Sequence, residues 1–154
     1  MMPAHPFHKE AGATLIEVLV AMVVLAIGLL GLAGLQATSI QSNHSAYYRS
    51  QATLLAGDLG DRMRANRAQA TNGDYSIDFP TSSSSHSVSG TQAQKDTAEW
   101  LNRLALTLPE GTGKVERNDT LVTISIRWND TRGQIKASDD NKTHNETFVY
   151  RTEI

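Results

Sequence analysis

From Val18 to Leu35 the chain runs eighteen residues without a charge, nearly all of them aliphatic or small. At about 1.5 Å of rise per residue such a run makes about 27 Å of helix, close to the apolar thickness of a bilayer. The pattern predicts a membrane-spanning helix. One carboxylate, Glu17, stands at its head. An ionisable group within a spanning segment costs roughly 2.5–3.5 kcal/mol at the centre and less near an end, and by default it marks a functional position with a partner. Gly28, Gly31 and Gly34 recur every third residue in the run. Glycines allow close packing of spanning helices. Each also weakens a helix interior in water by about 0.8–1 kcal/mol relative to Ala, which would make this a flexible section.

From Gln36 the composition turns polar while the helical period continues. Ile40, Tyr47, Leu54, Leu55, Leu59 and Met63 form an amphipathic stripe. Asp58 with Arg62 and Asp61 with Arg64 stand four and three positions apart on another side, pairs worth a few tenths of a kcal/mol. One helix is expected from about Thr14 to Ala68, roughly 80 Å long at 1.5 Å per residue. Gly57 and Gly60 are places where it could bend. Its end, Asp61 to Arg67, is basic, which suits the helix dipole.

Beyond it the pattern changes to short elements. Thr71-Asn72-Gly73 is a turn signal, Tyr75 to Phe79 a short strand candidate, and Pro80 its stop. Thr81 to Gly90 is a Ser-rich loop. Asp96-Thr97-Ala98-Glu99 reads as a capping box opening a second short helix with Trp100, Leu101, Leu104 and Leu108 on its apolar face, ended by Pro109. Lys114 to Arg117, a turn at Asn118-Asp119, and the alternating run Leu121 to Trp128 read as strands. Val122, Ile124, Ile126 and Trp128 share one face of that run. After a polar stretch, Thr147 to Glu153 is a last strand with Phe148 and Tyr150 on one side. The expected fold class is α+β: a long N-terminal helix packed on a small, about three-stranded antiparallel sheet, with a short second helix.

Glu17 has a second, local reading. Thr14-Leu15-Ile16-Glu17 fits a capping box, and a carboxylate in a first turn gains about 0.3–1 kcal/mol from the helix dipole. An ordinary secretory signal has an apolar core of about 7–15 residues ending at small residues. The run here is longer, opens on a carboxylate and has no clear Ala-x-Ala site. A plain anchor explains neither Gly12 nor Glu17.

The stretch Gly12-Ala13-Thr14-Leu15-Ile16-Glu17-Val18-Leu19-Val20 resembles the class III signal of type IV pilins and type II secretion pseudopilins. The resemblance implies cleavage by a prepilin peptidase between Gly12 and Ala13 and N-methylation of Ala13. The family's usual residue after the cut is Phe; Ala13 stands here. It implies that Glu17 answers the terminal amine of a neighbouring subunit. It divides the chain into a leader over 1–12, a transmembrane and filament-core helix over 13–35, an amphipathic helix half over 36–68 and a globular head over 69–154. It places the chain in the bacterial inner membrane, single-pass, with a cytoplasmic N-terminus and a periplasmic head, and later in the pilus at the cell surface. The implied partners are the peptidase, other minor and major pilins and the inner-membrane assembly platform. The Arg62-Met63-Arg64-Ala65-Asn66 ending, Trp100, Leu108-Pro109-Glu110-Gly111 and Trp128-Asn129-Asp130 are similar to minor pilins of the PilV, or type IV pilus modification, kind. These imply a role in priming assembly, twitching motility and adhesion.

Composition narrows the alternatives. The 154 residues carry 14 Lys and Arg against 16 Asp and Glu, a net charge of −2. No general attraction to nucleic acid or anionic lipid follows. There is no cysteine, so no disulfide closes the C-terminal region and strand pairing has to hold it. The five histidines are scattered at His5, His8, His44, His86 and His144. Asp139-Asp140-Asn141 lacks the spaced ligands of a calcium loop. Asn-x-Ser/Thr triplets at Asn43, Asn118, Asn129, Asn141 and Asn145 are common by chance in a polar chain. No catalytic constellation, metal set or cofactor motif is legible, and an enzyme is not expected. Two alternatives remain: a type II secretion minor pseudopilin, and a DNA-uptake receptor using Arg62, Arg64, Arg67 and Arg132, whose binding would weaken steeply with salt.

Overall fold

The computed structural model describes residues 14–81, 85–131 and 145–154. The chain divides into two compact units, Met1–Ser39 and Ile40–Ile154. Three helices, α1 (Leu15–Ala65), α2 (Arg67–Asn72) and α3 (Gln92–Thr107), precede three strands, β1 (Thr112–Asn118), β2 (Leu121–Asn129) and β3 (Asn145–Glu153). The fold is the α+β arrangement the hydrophobic pattern predicts.

Helix α1 is continuous through Gly28, Gly31, Gly34, Gly57 and Gly60. It ends at Ala65 rather than near Ala68. Asn66 leaves helical geometry at φ −113°, ψ 52°, and α2 begins after it. The Asn66 side chain is drawn inward, donating to Gln69 Oε1 at 2.9 Å and Tyr75 Oη at 3.1 Å. Gly73, at φ 86°, closes α2 with its N–H on Ala70 C=O, and Asp74 N–H reaches Gln69 C=O at 3.0 Å. This left-handed cap is where the Asn-Gly signal placed a turn.

Helix α3 starts earlier than the sequence pattern suggests. Its cap is Thr91, whose hydroxyl accepts from Gln94 N–H while Gln94 Oε1 accepts from Thr91 N–H. Gly90 turns the chain into it at φ 92°. Both Thr91-x-x-Gln94 and the segment from Asp96 to Glu99 satisfy the same local rule, so tertiary packing decides between them. Asp96 and Thr97 sit inside the helix, and the Thr97 hydroxyl donates back to Ala93 C=O at 2.6 Å. Leu108 is buried, and its N–H still reaches Leu104 C=O.

The sheet has the order β1-β2-β3, antiparallel throughout. Val122, Ile124, Ile126 and Trp128 of β2 are no more than 1 % exposed, as their alternation predicts. They face Ala52, Ala56, Leu59 and Met63 of α1, with Trp100 and Leu104 of α3 in the same core. In the expected stripe only Leu55, Leu59 and Met63 are buried; Ile40, Tyr47 and Leu54 are exposed. The chain between Tyr75 and Phe79 makes one bridge, Ile77 to Val115, and no strand. With no cysteine available, nine backbone pairs between β2 and β3 hold the last segment in place.

Candidate functional site

Among its described residues, the first unit offers chemistry only at its helix start. Thr14 precedes α1, and its C=O accepts from Glu17 N–H at 3.0 Å and Val18 N–H at 3.2 Å. Its hydroxyl also lies 3.4 Å from Glu17 N–H, the forward half of the expected capping box. Glu17 lies in the first turn, where the helix dipole favours a carboxylate. Among the described residues its carboxylate has no ion-pair or hydrogen-bond partner. Gly12 and Ala13 lie outside the described residues.

After Glu17 the helix presents apolar side chains on every side. Leu30 is 77 % exposed and Leu35 72 %, and an 18-residue apolar window of the helix has none of its residues buried. A helix apolar all round and wet all round is unstable in water, which is the physical case for lipid or other helices around it. A Cβ added at Gly28, Gly31 or Gly34 would meet nothing within 4 Å, so nothing within this chain requires glycine there. The helix runs unbroken through all three.

In the second unit the expected Asp58–Arg62 pair is made, and it belongs to a larger polar cluster that reaches α3. Arg62 points toward α3 and contacts three carboxylates: Glu99 at 2.8 Å, Asp58 at 3.2 Å and Asp96 at 3.2 Å. The Glu99 bond is the main reason its guanidinium holds its proton more tightly than usual. Asp96, 6 % exposed, also accepts from Gln92 Nε2 at 2.9 Å and from Tyr75 Oη at 2.6 Å. Burial, and then the Asp96 bond, push the Tyr75 phenol up to about 12. Arg103 adds a second cation to Asp58 at 2.9 Å. The arginine-rich end of α1 is thus partly consumed. Arg62 is tied into this cluster, and Arg64 pairs with Asp61 and donates to Thr152. Arg132 lies outside the described residues. Of Arg62, Arg64 and Arg67, the last has neither an ion pair nor a side-chain bond among the described residues.

At the other end of the head, Ser45 donates to Asp130 at 2.8 Å and Arg49 pairs with Glu146 at 3.2 Å. Trp100 Nε1 donates to Leu55 C=O at 3.0 Å and joins α3 to α1. Among the described residues no group of three or more His, Cys, Asp or Glu is placed to hold a metal.

The fold and the exposed apolar helix define a type IV pilin-like architecture, and the comparisons agree with it. Residues 7–33 match the prokaryotic N-terminal methylation motif. More narrowly, residues 34–101 match the Tt1218-like family model, described as type IV pilin Tt1218. The chain is therefore similar to type IV pilins over most of its helix and the first part of its head. The motif implies processing by a prepilin peptidase and association with pilins. No curated protein and no solved structure matches it.

Proposed function

We propose that this chain is a minor type IV pilin of the PilV kind that enters, or primes assembly of, the pilus and so supports twitching motility and adhesion. The observation that carries the reading is the N-methylation motif over residues 7–33 running directly into a helix exposed on every side. A prepilin peptidase cuts between Gly12 and Ala13, and Ala13 is methylated. Before assembly the helix crosses the bacterial inner membrane once, with its N-terminus cytoplasmic and its head periplasmic. In the filament, helices of other minor and major pilins replace lipid around it. Lipid is as apolar as Leu, so burial alone does not drive that exchange; packing and a charge pair contribute. Glu17 supplies the charge pair by meeting a neighbour's terminal amine, which sets axial register. The chain is not an enzyme and uses no cofactor.

Two measurements test this. The mass of the N-terminal peptide from chain recovered in pili should correspond to methylated Ala13; a working fibre whose subunits retain residues 1–12 sinks the reading. Glu17→Ala should reach pili poorly although its head folds normally, and incorporation at the wild-type level refutes the register role.

A further inference from the structure

The sheet has two edges, and they are finished differently. On the β1 side Ile77 and Val115 exchange both backbone bonds, at 3.1 and 2.9 Å, and Pro80 follows. On the β3 side no strand among the described residues pairs beyond it. The register tells which of its backbone groups point outward. Ile154 N–H donates to Thr120 C=O at 3.0 Å, and the pairing stays in one register from Leu121↔Glu153 to Asn129↔Asn145. Bonded and non-bonded pairs alternate along an antiparallel ladder. Glu146, Phe148, Tyr150 and Thr152 therefore bond β2. Asn145, Thr147, Val149, Arg151 and Glu153 turn their N–H and C=O groups away from it.

Natural edge strands are usually blunted by shortness, Pro, Lys or a bulge. Strand β3 is nine residues long, pairs without a bulge and contains neither Pro nor Lys. Its Thr, Phe, Val and Tyr residues favour extended pairing. Val149, at its midpoint, is 48 % exposed. An outward row of alternating donors and acceptors is satisfied in full by another strand.

We propose that β3 accepts a fourth, antiparallel strand from the head of a neighbouring pilin, so that the two heads share a main-chain ladder. This rests on the pilin reading given above. The side chains state what the incoming strand carries. On the side facing α1, half-buried Phe148 and Tyr150 call for apolar or aromatic residues opposite them. Glu146 on that side is already taken by Arg49. On the other side Arg151 calls for an acid opposite it and Val149 for a β-branched residue. A second copy of β3 fits less well: centred on Val149, it sets Thr147 against Arg151 and leaves that guanidinium without an acid opposite it.

The test places a photo-crosslinking benzoylphenylalanine at Thr147 of the full chain in cells that assemble pili. Adducts with a different pilin are expected there and not from a probe at Leu106, which is 88 % exposed on α3. Val149→Pro removes an outward N–H that β2 does not use, a placement edge strands tolerate. It should leave the unfolding midpoint of the head nearly unchanged and cut both adduct yield and recovery in sheared pili about tenfold, the scale set by one or two lost ladder bonds. Arg151→Glu, on the exposed side, should lower the same adducts without touching the fold. Either variant retaining full adduct yield and incorporation overturns the proposal. Adducts to a second copy of this chain alone overturn the choice of partner. Absence of the wild-type chain from pili removes the pilin reading and this proposal with it.

Discussion

Replacing Asp96 with Ala should be among the most damaging single changes in the head, and its size can be worked from the contacts. The carboxylate is 6 % exposed and serves Arg62, Gln92 and Tyr75 at 3.2, 2.9 and 2.6 Å. Removing one partner of a buried ion pair typically costs about 3–5 kcal/mol because a charge is stranded. Arg62 keeps Asp58 and Glu99 and its side chain is 26 % exposed, so that full cost does not apply. What remains is a buried phenol that loses its acceptor, at about 1–3 kcal/mol, and a weakened Arg62 contact of about 1 kcal/mol. A total near 3 kcal/mol corresponds to a fall in Tm of about 12 °C for a head of this size. Both tryptophans, Trp100 and Trp128, lie in the head core, so their fluorescence reports that unit in the full chain held in detergent. Glu99→Ala is the internal control. Its side chain is 47 % exposed, and removal should cost less than about 1 kcal/mol. If the two variants lower Tm equally, or Asp96→Ala lowers it by less than about 4 °C, the cluster is not what joins α1 to α3.

Three further outcomes follow from other contacts. Gly113→Ala would set a Cβ against the Trp100 ring and 2.9 Å from Leu104 Cδ1, and this overpacking should cost about 1–3 kcal/mol and shift Trp fluorescence; an unchanged Tm would refute the close packing. Thr91→Ala should cost about 1 kcal/mol and fray the start of α3, seen as faster amide exchange over Gln92 to Lys95, whereas an equal effect from removing Glu99 alone would favour the later start. The Tyr75 phenol is raised from its ordinary value near 10 to about 12, so the neutral form is favoured in the folded head. Its stabilising contribution is complete below pH 10 and lost as pH climbs through about 12; Tyr75→Phe should flatten that alkaline loss in a pH titration of Tm.

The elements that were legible in the chain are those whose period is long or strict. The uncharged run after Glu17 and the alternation from Val122 to Trp128 each repeat one rule often enough to leave one answer. The boundaries were harder because several residues satisfy the same rule. Thr91 and Asp96 each stand three positions before an amide or an acid, Gln94 and Glu99, and the burial of Asp96 inside the helix excludes the later start. Asn66 leaves the first helix with its side chain on Tyr75, a partner nine positions on that the helical period does not encode. Arg62 looked like a solvated, dipole-matched terminus, and its real environment is built by α3, 34 and 37 positions away. Contacts at such separations have no local signature. Of the candidate positions at the N-terminus, Glu17 and the three glycines fall in α1, and the case for them rests on the motif match over residues 7–33.

The order in which this head closes is written into the spans of its contacts. Strand β3 fastens to α1 at Arg49 and Arg64, 97 and 88 positions away along the chain. The β1–β2 hairpin and the two short helices need only nearby sequence and are ready earlier. Phe148 and Tyr150 reach their seats late, because closing so large a loop costs chain entropy before the contacts repay it. A chain without β3 would leave one flank of this interior wet and open to proteases.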